Sequence, residues 1–236
     1  MNRRTLLAAT AAAGIGGLSG CVSDYLGSTT QLESTPAGVS QSALDSTGYE
    51  AVETEERVIE NTVEAAGKSE TFVITNYLNK YEKPVGIEGV SETATATFGV
   101  HATSQIEIPG ETVNPVGELS GRDVVDLIGD SYDGISGIEH DSDRELTILE
   151  QSVTKSRFVA AASFAGLSVD LDIHVTEAVE RGEDFLVAVG VYPQQLRDSE
   201  AANMVTLSES ITSDAQTIAS TDSDSGSDRN DSDSSE

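Results

Sequence analysis

The sequence predicts an α+β domain, with a mainly antiparallel sheet of about six to eight strands and two or three helices packed on one face. Several segments alternate apolar and polar residues with a period of two, most clearly residues 93–108. These segments follow one another through short turns, which favours antiparallel pairing. Segments with helical spacing lie before, between and after the strands, so helices should cover one face of the sheet.

Helices are predicted at both ends of the domain and in its middle. The first spans Pro36–Asp45, with Thr35 as a suitable N-cap and Gly48 beyond its end, where the chain can turn. The second follows Ser120, where capping-box spacing precedes apolar residues at helical spacing, and it runs to about residue 131. The closing helix is indicated by three apolar residues at i, i+3 and i+7: Met204, Leu207 and Ile211.

Strand patterns fill the intervals between these helices. Residues 57–65 and 71–80 flank a short turn and should form a hairpin. Residues 183–192 are apolar on both sides, which indicates a strand in the centre of the sheet. The other strand patterns are 93–108, 144–150, 156–165 and 167–176.

The alternation also predicts which side chains the sheet buries. Successive side chains of a strand point to opposite faces, so an apolar residue inside places its neighbour outside. His101 and His174 are therefore expected on an outer, solvated face. The residues expected to be buried are Phe98, Val100, Leu171, Ile173, Phe185 and Val187.

The first twenty-one residues carry two export signals. Arg3 and Arg4 stand ahead of an uncharged apolar stretch, which is typical of twin-arginine export. That stretch has the length of a signal h-region, and a membrane-spanning helix needs about 20 residues. Leu18-Ser19-Gly20-Cys21 has the form of a lipobox, so we expect removal of residues 1–20 and lipid attachment at Cys21. The predicted location is the extracellular face of the cell membrane, held by that lipid.

The rest of the chain divides into three parts. Residues 21–34 are expected to be a lipidated tether, and residues 35–213 a single α+β domain. Residues 214–236 are expected to be a disordered acidic tail, because the last sixteen residues offer no apolar side chain to bury. The only N-glycosylation sequon begins at Asn230, where exposure in the tail would let it accept a glycan.

The charge balance restricts the partners and the environment. The formal net charge is −28, from 13 basic and 41 acidic residues. Such a surface repels itself in dilute buffer and is typical of halophiles, because molar salt screens the repulsion. Nucleic acid is not expected as a partner, since phosphate binding needs a basic surface. Cys21 is the only cysteine, so the lipobox leaves none for a disulfide or a thiolate site.

The search for catalytic motifs predicts no catalytic residue, no metal site and no cofactor. The sequence contains no G-x-S-x-G elbow, no P-loop and no dinucleotide glycine pattern. His101 and His174 could form a divalent-metal cluster with Asp170 and Asp172 if their strands were neighbours. The simpler interpretation is that these residues are solvated positions on the wet face of a sheet.

Several stretches resemble a known family. The chain resembles the uncharacterised haloarchaeal lipoproteins that are grouped under a domain of unknown function, a twin-arginine-exported family. The resemblance covers about residues 1–212 and implies lineage and location, but it supplies no activity and no catalytic residue. The stretches that carry it are 42–49, 75–78, 114–116, 132–135, His174-Val175-Thr176-Glu177-Ala178-Val179-Glu180, 183–185 and Val191-Tyr192-Pro193-Gln194.

The sequence thus predicts a lipid-anchored surface protein of a halophilic archaeon that binds a ligand or an envelope protein without covalent chemistry. The alternative is a metal-dependent or hydrolytic surface enzyme that uses the face of His101 and His174. A binding module should expose an apolar patch. An enzyme should bring a histidine beside a carboxylate in a pocket.

Overall fold

The computed structural model describes residues 29–65, 68–86, 93–105, 107–108, 111–112, 135–164 and 167–212. Arg3, Arg4, Cys21 and Asn230 lie outside these residues, and so does the helix predicted after Ser120. The acidic tail also lies outside them.

Strands dominate the described part of the chain. In chain order they are β1 (Thr29–Glu33), β2 (Gly38–Val39), β3 (Glu50–Ala65), β4 (Lys68–Gly86), β5 (Thr93–Ser104), β6 (Glu107–Ile108), β7 (Glu111–Thr112), β8 (Ser136–Ile148), β9 (Gln151–Phe164), β10 (Leu167–Thr176), β11 (Val179–Arg181), β12 (Asp184–Pro193) and β13 (Ile211–Thr212). Nine of these described strands form one sheet, while β2 pairs with β13 and β6 pairs with β7. β1 lies within the stretch predicted as a tether.

The large sheet consists of two antiparallel meanders joined side by side. β3, β4 and β5 form the first, and β8, β9, β10 and β12 form the second. β5 and β12 pair along the seam, which confirms the prediction that residues 183–192 form a central strand. The predicted hairpin is confirmed as well, since β3 pairs with β4 from end to end. The pairing of β1 with β4 is parallel and makes the sheet mixed.

The predicted fold class is wrong, because the molecule is sheet-dominated rather than α+β. Its described α-helices are short: α1 (Gln41–Thr47) and α2 (Arg197–Glu209), the latter preceded by a 3₁₀ turn. α1 begins five residues later than predicted, after Ser40, because residues 38–39 are taken into β2. Gly48 does end this helix, with φ of 76° in the left-handed region that suits glycine.

The sheet buries side chains on both faces, and the predicted core residues are only partly right. Phe98, Val100, Ile173 and Val187 are buried, whereas Leu171 and Phe185 are half-buried. The buried residues belong to two separate clusters, because Phe98 and Val100 lie on the face covered by α2 and Ile173 and Val187 lie on the other. We call the first face the helix face and the second the opposite face.

Candidate functional site

The structure separates the two histidines that the sequence placed on one face. His174 lies in a cross-strand row with Gly190 and Phe98, on the helix face. His101 is paired with Val187, on the opposite face. His101 does turn away from Phe98 as predicted, but the two histidines have the full thickness of the sheet between them. A shared site built on both side chains is therefore geometrically excluded.

His174 is buried rather than solvated, so this part of the prediction is wrong. Only 4% of its surface is exposed. The alternation along β10 correctly set it opposite to Ile173, but both faces are covered at this position. α2 crosses directly above, where Met204 packs against Gly190 next to the histidine. Burial, followed by the charge of Lys155, lowers the pKa of His174 to about 3, so the imidazole is neutral near pH 7.

Asp172 lies two residues before His174 on the same face and anchors α2. The carboxylate accepts hydrogen bonds from Nε and Nη2 of Arg197, both at 2.6 Å. Burial acts to raise the pKa of Asp172, but the hydrogen bonds and charge of Arg197 outweigh it and hold that pKa below its usual value. The Asp172 side chain is fully buried and the guanidinium is one-third exposed, so the pair closes the N-terminal end of α2 onto β10.

Tyr192 connects the aspartate to the histidine. Its hydroxyl hydrogen-bonds to Asp172 and lies 2.8 Å from Nε2 of His174. A carboxylate can only accept, so Tyr192 donates to Asp172 and accepts from the Nε2–H of His174. The resulting chain of donors runs from His174 through Tyr192 to Asp172, with Arg197 donating from the far side. This order assigns the neutral histidine its Nε2–H tautomer and leaves a lone pair on Nδ1.

One buried polar atom beside this hydrogen-bond chain has no partner among the described residues. Nδ1 of His174 is buried and makes no hydrogen bond there. Lys155, paired across the strands with Thr176, is 5% exposed. Burial, followed by the charges of Arg144 and Arg157, lowers the pKa of Lys155 to about 8. The cluster beneath α2 therefore contains a buried lysine and a lone pair on Nδ1 of His174 that no described side chain satisfies.

The chemistry of this buried cluster is restricted. With a pKa of about 3, His174 is a poor general base near neutral pH, where an effective one has a pKa close to the operating pH. The described residues also contain no group of three His, Cys, Asp or Glu side chains placed to hold a metal ion. The strong contacts of the cluster join α2 to the sheet, so we interpret it as a structural clamp.

A second buried clamp holds α2 from its other side. Glu200, on α2, accepts from Nζ of Lys83 at 2.8 Å and from the hydroxyl of Tyr49 at 3.0 Å. Asn203 adds a third hydrogen bond, at 3.0 Å. Burial acts to raise the pKa of Glu200, but these donors keep it lowered. Sheet, helix and the loop after α1 are thus tied together by one carboxylate.

Sequence reasoning missed Tyr192 as the partner of His174 and Arg197 as the partner of Asp172. The signal was present in the stretches that carry the family resemblance, because one contains His174 and another contains Tyr192. Those stretches lie on β10 and β12, which pair in the sheet. Arg197 is twenty-five residues from Asp172, and no local pattern in the sequence indicates that contact.

In the comparison with protein families, residues 36–212 match a domain of unknown function, DUF6517. The chain belongs to this family. The DUF6517 match includes both clamps and nearly all of the described sheet. No curated protein and no solved structure matches the chain. Within the described residues of this DUF6517 protein, no helix is long and apolar enough to cross a membrane.

Proposed function

We propose that this DUF6517 protein is exported, anchored by lipid at Cys21 on the extracellular face of a halophilic cell, and active by binding rather than by catalysis. The location is supported by Arg3 and Arg4 and by the lipobox that ends at Cys21. The acidic surface, with a net charge of −28, supports a saline environment.

The observation that carries the binding role is the composition of β3. Among the described residues, four large apolar side chains are exposed, and Val52, Val58 and Ile59 of these lie on this single strand. β3 is also an edge of the sheet, since it pairs with β4 and with no other described strand. An exposed edge with apolar side chains is a template for strand addition, which soluble proteins normally avoid unless it is used.

The geometry weakens the enzyme alternative. His101 and His174 lie on opposite faces, and His174 is covered by α2. Nε2 of His174 hydrogen-bonds to Tyr192 on β12, next to the Asp172–Arg197 pair that holds α2.

The location is tested by fractionating cells that express Cys21→Ser or a variant with both Arg3 and Arg4 changed to Lys. We expect loss of the protein from membranes in the first and unprocessed precursor inside the cell in the second. Membrane-bound, processed protein in the Cys21→Ser variant would overturn the lipid anchor. Normal export of the double Lys variant would overturn twin-arginine export.

The binding role is tested by capture from detergent-solubilised envelope in molar salt. Wild type and Ile59→Lys are compared, with Leu167→Lys as a matched control because Leu167 and Ile59 are both 51% exposed and Leu167 is not on β3. We expect a captured component, identified by mass spectrometry, that Ile59→Lys loses and Leu167→Lys keeps. Equal capture by all three proteins would show that β3 is not the binding surface.

A further inference from the structure

β3 and β8, two edge strands of the sheet, are built differently. The pairing of β8 with β9 has two register shifts, at 136–139 and 140–142. The N-terminal half of β8 is rich in charged and polar residues. Bulges and charges are devices that prevent edge-to-edge pairing. β3 has a single register shift near its start, at 51–53, and then pairs regularly to Ala65. Both edge strands carry charges, but β8 also has bulges in the part that is rich in them, whereas β3 pairs regularly where it exposes Val58 and Ile59.

The exposed Ile59 ends an apolar row that crosses the sheet. Ile59 is paired with Ile74, which is buried, and Ile74 is paired with Leu32 on β1. Apolar side chains directly opposite on neighbouring strands stabilise a sheet. A further strand added beside β3 with an apolar residue opposite Ile59 would continue this row and cover part of the surface of Ile59, which is now 51% exposed.

Symmetry limits the ways in which a second β3 can supply that residue. When two copies of β3 pair antiparallel about a two-fold axis, residues that lie directly opposite one another must point to the same face of the sheet. One residue of β3 therefore lies opposite its own copy, and the axis passes midway between these two residues. An axis at Glu56, Arg57 or Glu60 places a charged residue opposite its own copy. An axis at Val58 places Glu56 opposite Glu60.

An axis at Ile59 avoids every one of these repulsions. It sets Ile59 opposite the partner's Ile59, Val58 opposite the partner's Glu60, and Glu56 opposite the partner's Thr62. Like charges directly opposite one another destabilise a sheet, so among the axes at residues 56–60 the charge pattern favours the one at Ile59. We propose that the β3 edge pairs with the β3 edge of a second copy of this chain, antiparallel and centred on Ile59. This inference rests on the proposed binding role of β3 and names its partner.

The register is tested by cross-linking in molar salt, which screens the repulsion between two acidic chains. The full chain carries Cys21→Ser, which removes the only native cysteine, and either Ile59→Cys or Val58→Cys. We expect Ile59→Cys to form a disulfide-linked dimer on mild oxidation, because residues directly opposite have Cβ atoms about 4.5–5.5 Å apart. Val58→Cys should cross-link at least tenfold more slowly, since its two copies are diagonal at about 7–8 Å. Equal cross-linking of both variants, or faster cross-linking of Val58→Cys, would overturn the register.

The association itself is tested by light scattering of the same full chain, with Cys21→Ser alone, in molar salt. We expect a dimer that Ile59→Lys converts to a monomer and that Leu167→Lys leaves intact. A parent chain that stays monomeric up to millimolar concentration would overturn the second copy as the partner. If Ile59→Lys nevertheless loses an envelope component in the capture experiment, the binding role of β3 stands with a different partner. Failure of both experiments would remove the binding role as well.

Discussion

At the scale of single residues, the buried hydroxyl of Tyr192 holds two polar partners at once. It donates to Asp172 and accepts from His174, and neither partner can reach water. Removing one member of a buried hydrogen-bond chain leaves the remaining groups desolvated and unpaired, which costs more than the bond itself contributes. The stability of the fold should therefore be sensitive to removal of the single oxygen atom of this hydroxyl.

We expect Tyr192→Phe to lower the free energy of unfolding by about 1–3 kcal/mol. Tyr77→Phe is the matched control, because its hydroxyl also bonds a carboxylate, Glu33 at 2.7 Å, but at an exposed position. The control should change stability by less than about 0.5 kcal/mol. Chemical denaturation in high salt measures both. Equal losses in the two variants would mean that the buried chain has no special role.

Lys155 gives a prediction about pH at the same scale. Its pKa is about 8 in the folded protein and near 10.5 when exposed. Between these values the unfolded chain binds more protons than the folded one, so stability should rise as pH increases from about 8 towards 9.5. Lys155→Met should be more stable than wild type near pH 7 and should lose this rise, because the buried charge is gone.

The pH profile is measured by thermal unfolding from about pH 7 to 9.5, where unfolded tyrosines, with a pKa near 10, are still mostly protonated. Lys80→Met is the control, since Lys80 is partly exposed and lies 2.9 Å from Glu82. It should keep the wild-type slope. An unchanged slope in Lys155→Met would contradict the assignment of this titration to Lys155.

At the scale of elements, α2 can approach the sheet because Gly190 has no side chain. A Cβ atom built there would lie 2.1 Å from Sδ of Met204, which is itself fully buried. An added methyl group must therefore displace the helix or the methionine from a packed position. The glycine is required by close approach and not by a left-handed backbone conformation.

We expect Gly190→Ala to lower the free energy of unfolding by about 1–3 kcal/mol through this overpacking. The same change in a Met204→Ala background should cost much less, because the clashing atom has been removed, and the difference gives a coupling energy. Gly86→Ala is the control, since a Cβ there meets no atom within 4 Å. Equal costs of Gly190→Ala in both backgrounds would show that Met204 is not the obstacle.

The elements also show where sequence reasoning succeeded and where it stopped. Alternation correctly set His101 opposite to Phe98 and His174 opposite to Ile173, because the pleat allows nothing else. It could not reveal that β10, which pairs with a strand along each edge, is also covered on both of its faces. Asp172 and His174 were taken for solvated residues, because the partners that satisfy them, Arg197 and Tyr192, follow about twenty residues later. Polar residues at alternate positions predict a wet face only when nothing polar is folded against them.

At the scale of the whole molecule, the charge of −28 sets the conditions for folding and for association alike. Repulsion among surface carboxylates destabilises the compact state, and it also opposes the meeting of two acidic β3 edges. The described ion pairs do little against it, since most join partly exposed side chains whose pairs contribute about 0–1 kcal/mol. Added salt should therefore favour both the folded state and the association of two β3 edges.

The two effects of salt can be separated with Ile59→Lys, which should stay monomeric. We expect its thermal midpoint to rise from about 0.1 M to 3 M KCl, because screening shortens the Debye length from about 10 Å to less than 3 Å. This rise should not depend on protein concentration. The midpoint of the wild type should rise further and increase with protein concentration in high salt, because dimer formation stabilises the folded state by mass action. A flat midpoint in Ile59→Lys would show that self-repulsion does not limit the stability of the fold, and a wild-type midpoint independent of concentration would contradict the dimer.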